Sequence, residues 1–250
     1  MPRSPARAER LAALRAEVRA LESAAAGEER EYLPFGLDSL DSRLAGGGLA
    51  VAALHEAAAG RPGPADEAAA TLFLAAIAAR RPGIVLWALR GRDLFAPGLA
   101  GAGLPPDRIL YAECGGDEDV LAVMEEGLRH GGLAAVVGEV GRAAMPATRR
   151  LQLAAEEGGT LALMLRRRRG AGEDPLAMPS AAVTRWRLAC APSSPLPVAG
   201  IGRPRWRLTL ARQRGGAPFD LLVETPDAEA RLALPSLSEH RPGEGGRRAA

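Results

Sequence analysis

Three strand-length, almost wholly apolar runs, Ile84–Leu89, Leu133–Val137 and Thr160–Leu165, constrain the fold of this chain most. Segments with helical patterning lie between and before them. One extends from Pro64 to about Arg80, and another over 117–130 puts Val120, Met124 and Leu128 on one face. A third opens at Pro146, where the missing N–H suits a first helical turn, and continues to about Glu157. Val51–Glu56 and Ile109–Glu113 read as further strands. Short apolar strands that alternate with helices predict an α/β fold, a mostly parallel sheet covered on both faces. After residue 180 the helices stop. Val183–Ala189, Trp206–Arg212 and Phe219–Glu224 then read as an antiparallel C-terminal extension of the same sheet.

Flanking segments follow a different pattern. Leu11, Leu14, Val18 and Leu21 recur at spacings of three and four, which predicts an amphipathic helix over 6–24 within an N-terminal segment 1–30. Its narrow stripe suits docking on the domain or pairing with another helix, and marks these four residues as candidate partner contacts. The core then spans 31–230. The remaining 231–250, rich in Pro, Gly, Ser and charge towards its end, reads as a flexible tail. A short helix is framed by Leu33-Pro34-Phe35-Gly36 and the triplet Gly46-Gly47-Gly48, with Asp38 and Asp41 as helix-start and turn groups.

Chemistry is limited by what the chain lacks. All 32 basic residues are arginine, so no lysine-dependent mechanism is available. Cys114 and Cys190 match no metal or CxxC spacing, and His55, His130 and His240 are scattered, so no metal site is expected. No Ser/His/Asp arrangement is readable. The absence of a signal-like or membrane-length apolar run predicts a soluble, cytoplasmic protein. Between Thr160 and Gly216 eleven arginines face two acids, a net +9 that leaves −7 for the rest of a chain of net +2. Such a split predicts one basic surface.

Several stretches carry a specific resemblance. They include Leu33-Pro34-Phe35-Gly36, Gly46-Gly47-Gly48-Leu49, Leu54-His55-Glu56 and Asp93-Leu94-Phe95-Ala96-Pro97-Gly98-Leu99. To these are added Met124-Glu125-Glu126, Ala134-Ala135-Val136-Val137-Gly138-Glu139-Val140, Arg149-Arg150-Leu151-Gln152-Leu153-Ala154, Thr184-Arg185-Trp186-Arg187 and Gly202-Arg203-Pro204-Arg205-Trp206. The chain resembles the ImuA family, RecA-like accessory proteins of bacterial mutagenesis cassettes. Over about 33–165 its element order resembles a RecA-like, P-loop NTPase-type core. The resemblance implies action in SOS-induced translesion synthesis and mutagenesis with an ImuB-like inactive Y-family polymerase and an error-prone C-family polymerase. RecA and single-stranded DNA stay open as further partners, and the implied place is the cytoplasm, at the nucleoid when DNA is damaged.

The nucleotide site that such a core would carry is degenerate in sequence. A phosphate-binding loop needs glycines, a lysine and a Ser/Thr hydroxyl. The equivalent stretch runs Ala57-Ala58-Ala59-Gly60-Arg61-Pro62-Gly63-Pro64-Ala65-Asp66-Glu67. Gly60, Arg61 and Gly63 are its remnant. Pro62 and Pro64 remove N–H donors, and Asp66 and Glu67 bring negative charge. The strand 133–137 ends on Gly138-Glu139, where an ATPase of this type carries aspartate, and Arg90-Gly91-Arg92 follows the strand 84–89 where a catalytic glutamate is usual. Glu139 reads as Walker B-like, as a helix cap or as an arginine's partner. No catalytic residue and no cofactor is expected.

The basic segment supplies candidate nucleic-acid contacts. Arg166, Arg167, Arg168 and Arg169 follow a strand and suit a phosphate backbone, with a solvated charge run and an acidic protein partner as the other readings. Trp186 and Trp206 sit in Arg-Trp-Arg contexts, so strand alternation sends the tryptophans to the core and Arg185, Arg187, Arg205 and Arg207 to the opposite face. The readings left open are an adaptor, a single-strand DNA-binding or RecA-filament-modulating protein, and a divergent ATPase.

Overall fold

The computed structural model describes residues 30–168, 170, 172–193, 196, 200 and 202–235. The amphipathic stripe of Leu11, Leu14, Val18 and Leu21 lies outside the described residues, as do Arg169 and the tail from 236. What is described is an α/β fold with a mixed sheet flanked by helices.

Ten strands and five α-helices are described: β1 (Tyr32–Leu33), α1 (Asp38–Asp41), β2 (Leu49–Ala50), β3 (Leu54–Ala59), α2 (Pro64–Ala79), β4 (Val85–Leu89), α3 (Ala96–Gly101), β5 (Ile109–Glu113), α4 (Asp117–His130), β6 (Ala135–Val140), α5 (Met145–Gly158), β7 (Leu161–Arg166), β8 (Thr184–Ala191), β9 (Arg205–Gln213) and β10 (Phe219–Glu224). The main sheet has the order β10-β9-β8-β3-β7-β6-β4-β5. β3 through β8 are parallel along this order, and β9 and β10 run antiparallel.

Two expectations are corrected here. β8 belongs to the parallel set and pairs with β3 (His55↔Thr184 to Ala59↔Leu188), and the antiparallel extension begins only at β9. The connection over 167–183 is long enough for the crossover that a parallel partner demands. A continuous strand over 51–56 is also not formed. Leu49 and Ala50 pair back with Leu33 and Tyr32, and the sheet strand starts at Leu54. The chain before the sheet is held locally. The Asp41 carboxylate accepts the backbone N–H groups of Phe35, Gly36 and Leu37 at 2.7–3.0 Å, which is the turn role expected of it.

Two apolar clusters cover the sheet. On one face α2 packs with Phe35, Leu40, Trp87, Leu99, Leu104 and the C-terminal strands. Phe73 of α2 lies 5.5 Å from Trp186 of β8, which in turn meets Phe219 at 6.1 Å. Both tryptophans at 186 and 206 are therefore core residues, as alternation demanded. On the other face α4 and α5 pack Met124, Leu128 and Leu151 over Leu86, Val136 and Met164. A Cβ added at Gly138 would meet Met124 Sδ at 2.1 Å, so the glycine lets α4 lie close on β6. The end of the core extends past the expected boundary: Leu232 is buried and Ala233 bridges Glu224, so residues 231–233 are not a free tail. Among the described residues no helix is long and apolar enough to cross a membrane.

Candidate functional site

Ligands of open α/β sheets sit at the carboxyl ends of the parallel strands. Here that edge gathers the turn after β3, the ends of β4 and β6, and the start of the 167–183 loop. Each supplies charged side chains, and most of these charges satisfy one another.

The β3–α2 turn is closed by its own carboxylate. Gly60 donates its N–H to the Leu188 carbonyl at 2.7 Å, and a Cβ there would stand 3.1 Å from that oxygen. Gly63 caps α2 with φ 129°, a backbone state that glycine tolerates. Asp66, in the first turn of α2, is buried and bends back into the turn. It accepts the Arg61 backbone N–H at 3.0 Å, the Arg61 guanidinium at 3.0 and 3.1 Å, and the Cys190 backbone N–H at 2.8 Å. Arg61 also donates to the Cys190 carbonyl at 2.8 Å. Burial pushes the Asp66 carboxyl up, but the hydrogen bonds from Arg61 and Cys190 prevail and hold it below the ordinary carboxylate range. Two amides that could face an anion are thus already taken, and a carboxylate lies among them.

Glu139, at the end of β6, takes the Trp87 indole N–H at 2.8 Å and the Arg167 Nε–H at 2.9 Å. Arg167 stands further within 3.5 Å of Glu67 and 3.9 Å of Asp93. Burial opposes the Arg167 charge, yet the three carboxylates raise its pKa above the usual guanidinium value. Of the readings open for Glu139, the arginine pair is the one observed.

A second network lies deeper. Glu56 of β3 is fully buried and accepts Ser180 Oγ–H at 2.7 Å and Arg185 Nε–H at 2.7 Å, with Arg166 Nη1 at 3.9 Å. Arg166 is 1% exposed and its pKa is lowered by burial, against the pull of Glu56. Beside it His55 bridges Thr184 Oγ1 at 2.7 Å and the Ala50 carbonyl at 2.8 Å. The Ala50 carbonyl can only accept, so the imidazole carries its proton on Nε2 and Nδ1 accepts the Thr184 hydroxyl, whose oxygen also accepts the Trp186 indole N–H. Burial lowers the His55 pKa to about 4, so the ring is neutral at pH 7.

The seven described candidate arginines therefore do not form one surface. Arg166 and Arg185 are interior, which removes the first member of the 166–169 run and the first rung of the ladder from solvent. Arg167 holds Glu139, and Arg168 donates to the carbonyls of Glu173 and Ala59. Arg187 makes a two-pronged pair with Asp174 at 2.7 and 2.8 Å, which holds that carboxyl down to about 2. Arg205 donates to the Pro192 and Ser193 carbonyls at 2.6 and 3.0 Å. Arg207 alone of the described candidates is exposed. The segment's +9 is in good part internal: it is used to bind the 167–183 loop and the strands to carboxylates and carbonyls.

Two curated relatives, both named Protein ImuA and drawn from two strains of Caulobacter vibrioides (NA1000 / CB15N and ATCC 19089 / CIP 103742 / CB 15), are 38% identical over 205 residues. The alignment covers 78% of this chain and 84% of each relative. The chain belongs to the ImuA family. No protein-family model matches it.

For this ImuA-family chain, several site residues were not singled out from sequence. Glu56, Ser180, Asp93 and Asp174 each complete an arginine's environment. The signal was available only as charge arithmetic, since so many arginines beside a compact apolar core require buried or half-buried partners. Among the described residues no group of three or more His, Cys, Asp or Glu is placed to hold a metal ion.

Proposed function

We propose that this ImuA-family chain is a non-catalytic, RecA-like adaptor in SOS-induced translesion synthesis. It acts with an ImuB-like inactive Y-family polymerase and an error-prone C-family polymerase. Family membership supports this reading, and the element order β3-α2-β4-α3-β5-α4-β6-α5-β7 supports a RecA-like ancestry for the core.

The observation that carries the non-catalytic part is the position of Asp66. Its carboxylate takes the Arg61 and Cys190 amides in the turn where an ATPase of this type holds phosphates. A triphosphate would have to displace a carboxylate and then meet Glu67, Glu139 and Asp93 around the one Arg167. Like charges at these separations oppose binding. No lysine is available to offset them.

Direct contact with single-stranded DNA is the rival reading. The burial and pairing of Arg166, Arg167, Arg185 and Arg187 weigh against it, and leave Arg168, Arg205 and Arg207 as candidate contacts beside Arg169, which lies outside the described residues. The deciding experiment is a pull-down of the ImuB-like protein by the full-length chain in purified form. Retention of the partner is expected. Its absence at micromolar concentrations of both proteins would sink the adaptor reading.

A further inference from the structure

A groove of about 420 Å³ opens between the first turns of α2 and the segment around α3. Leu72, Leu94 and Leu99 contribute apolar lining, and Phe95 stands over its edge with 72% of its surface exposed. Gly98 leaves the floor bare: a Cβ there would meet Phe95 Cδ1 at 3.2 Å and Leu72 Cδ2 at 3.7 Å. An aromatic held this far into solvent beside a leucine-lined groove marks a contact surface.

Charge selects the occupant. Glu67 and Asp93 share Arg167 on the rim, and Arg167 is already held by Glu139 at 2.8 Å. The rim is left negative, which disfavours phosphates and favours a cationic segment with an apolar face. Residues 6–24 of this chain carry Arg7, Arg10, Arg15 and Arg19 against Glu9, Glu17 and Glu22, a net +1. The stripe Leu11, Leu14, Val18 and Leu21 runs through the same stretch.

The chain also enters at the right place. Glu31 pairs with Arg81 at 2.7 Å, two residues beyond the C-terminus of α2. The groove lies at the other end of that helix, whose 16 residues at ~1.5 Å each span ~24 Å. Residues 25–30 can cover ~20 Å at ~3.3 Å per residue, more than the ~14 Å of helix between Arg81 and Leu72 on the groove.

We propose that residues 6–24 seat their apolar stripe in this groove on the same molecule, with their arginines against Glu67 and Asp93. The stripe that suits a partner helix then has an intramolecular seat, and a partner must compete with it. This inference does not depend on which partner the chain holds.

The test is photo-crosslinking of the purified full-length chain with p-benzoylphenylalanine in place of Phe95. Products at monomer mass that map to residues 6–24 are expected. Leu11→Asp, Leu14→Asp and Val18→Asp together should cut the yield at least about fivefold. Glu67→Arg with Asp93→Arg should do the same, and thermal unfolding checks that both variants fold. Should the double variant not fold, the N-terminal triple variant, which leaves the described core intact, decides alone. Products that map outside 6–24, products that join two molecules, no product at all, or an unchanged yield in the N-terminal variant would each overturn the proposal.

Discussion

The carboxylate of Asp66 accepts the backbone N–H of Cys190 at 2.8 Å, across 124 positions of sequence. One hydrogen bond thus ties the first turn of α2 to the end of β8, and Arg61 closes the same turn from its other side. The edge of the sheet where a ligand would dock is fixed by contacts of the chain with itself.

Asp66→Ala removes an acceptor from two buried or half-buried amides. A loss of about 1–3 kcal/mol is expected in urea unfolding at pH 7. Because the folded Asp66 pKa is depressed, its contribution is complete above the unfolded carboxylate range and fades as pH falls below it. The gap between variant and parent should therefore narrow as pH falls below the ordinary carboxylate range.

His55 predicts a separate acid limb. Its folded pKa of about 4 lies below the ordinary 6.5, so only the unfolded chain binds that proton between these values. Stability is full above about pH 6.5 and falls by about 3 kcal/mol as pH drops towards 4. Urea midpoints at pH 7, 5.5 and 4.5 measure it. His55→Gln should flatten this interval while lowering stability at pH 7, because the Thr184 and Ala50 contacts are disturbed.

Arg167→Met strands Glu139 beneath the sheet edge with only Trp87 as donor. About 3 kcal/mol should be lost. Glu139→Gln in the same chain should restore part of it, and a double-mutant cycle by chemical denaturation reads the coupling directly. Additive losses would show that the pair does not act as a unit.

Gly138→Ala sets a methyl against Met124 Sδ, at a starting separation of 2.1 Å. Overpacking of this kind costs about 1–3 kcal/mol. Adding Met124→Ala should make the double variant more stable than the sum of the single losses predicts, as measured by thermal unfolding.

Much of this architecture was legible in the sequence. The helices over 64–79, 117–130 and 145–158 and the apolar strands between them follow from periodicity, and each appears within a residue or two of its expected bounds. The α3 helix was not read, because Pro97, Gly98 and Gly101 crowd its six residues. The parallel pairing of β8 was not readable either, since it depends on where a 17-residue loop delivers the chain. At the site, the loss of lysine and the intrusion of Pro62, Pro64 and Asp66 were visible as residue types. That Asp66 would turn inward and take two amides was not, because the second amide belongs to Cys190 on β8. The pairing of Arg166 and Arg167 within the arginine run was hidden for the same reason. Sequence displays charge, while its partners Glu56, Glu139 and Asp174 come from other strands and loops.

On the proposed function this chain holds a protein partner through a scaffold that does not answer to nucleotide. Isothermal titration of the full-length chain with the ImuB-like polymerase, with and without magnesium ATP, tests it most directly. Saturable binding of equal affinity in both conditions is expected, with no heat from ATP alone. Binding that appears only with ATP, or a saturable ATP isotherm without partner, would contradict it.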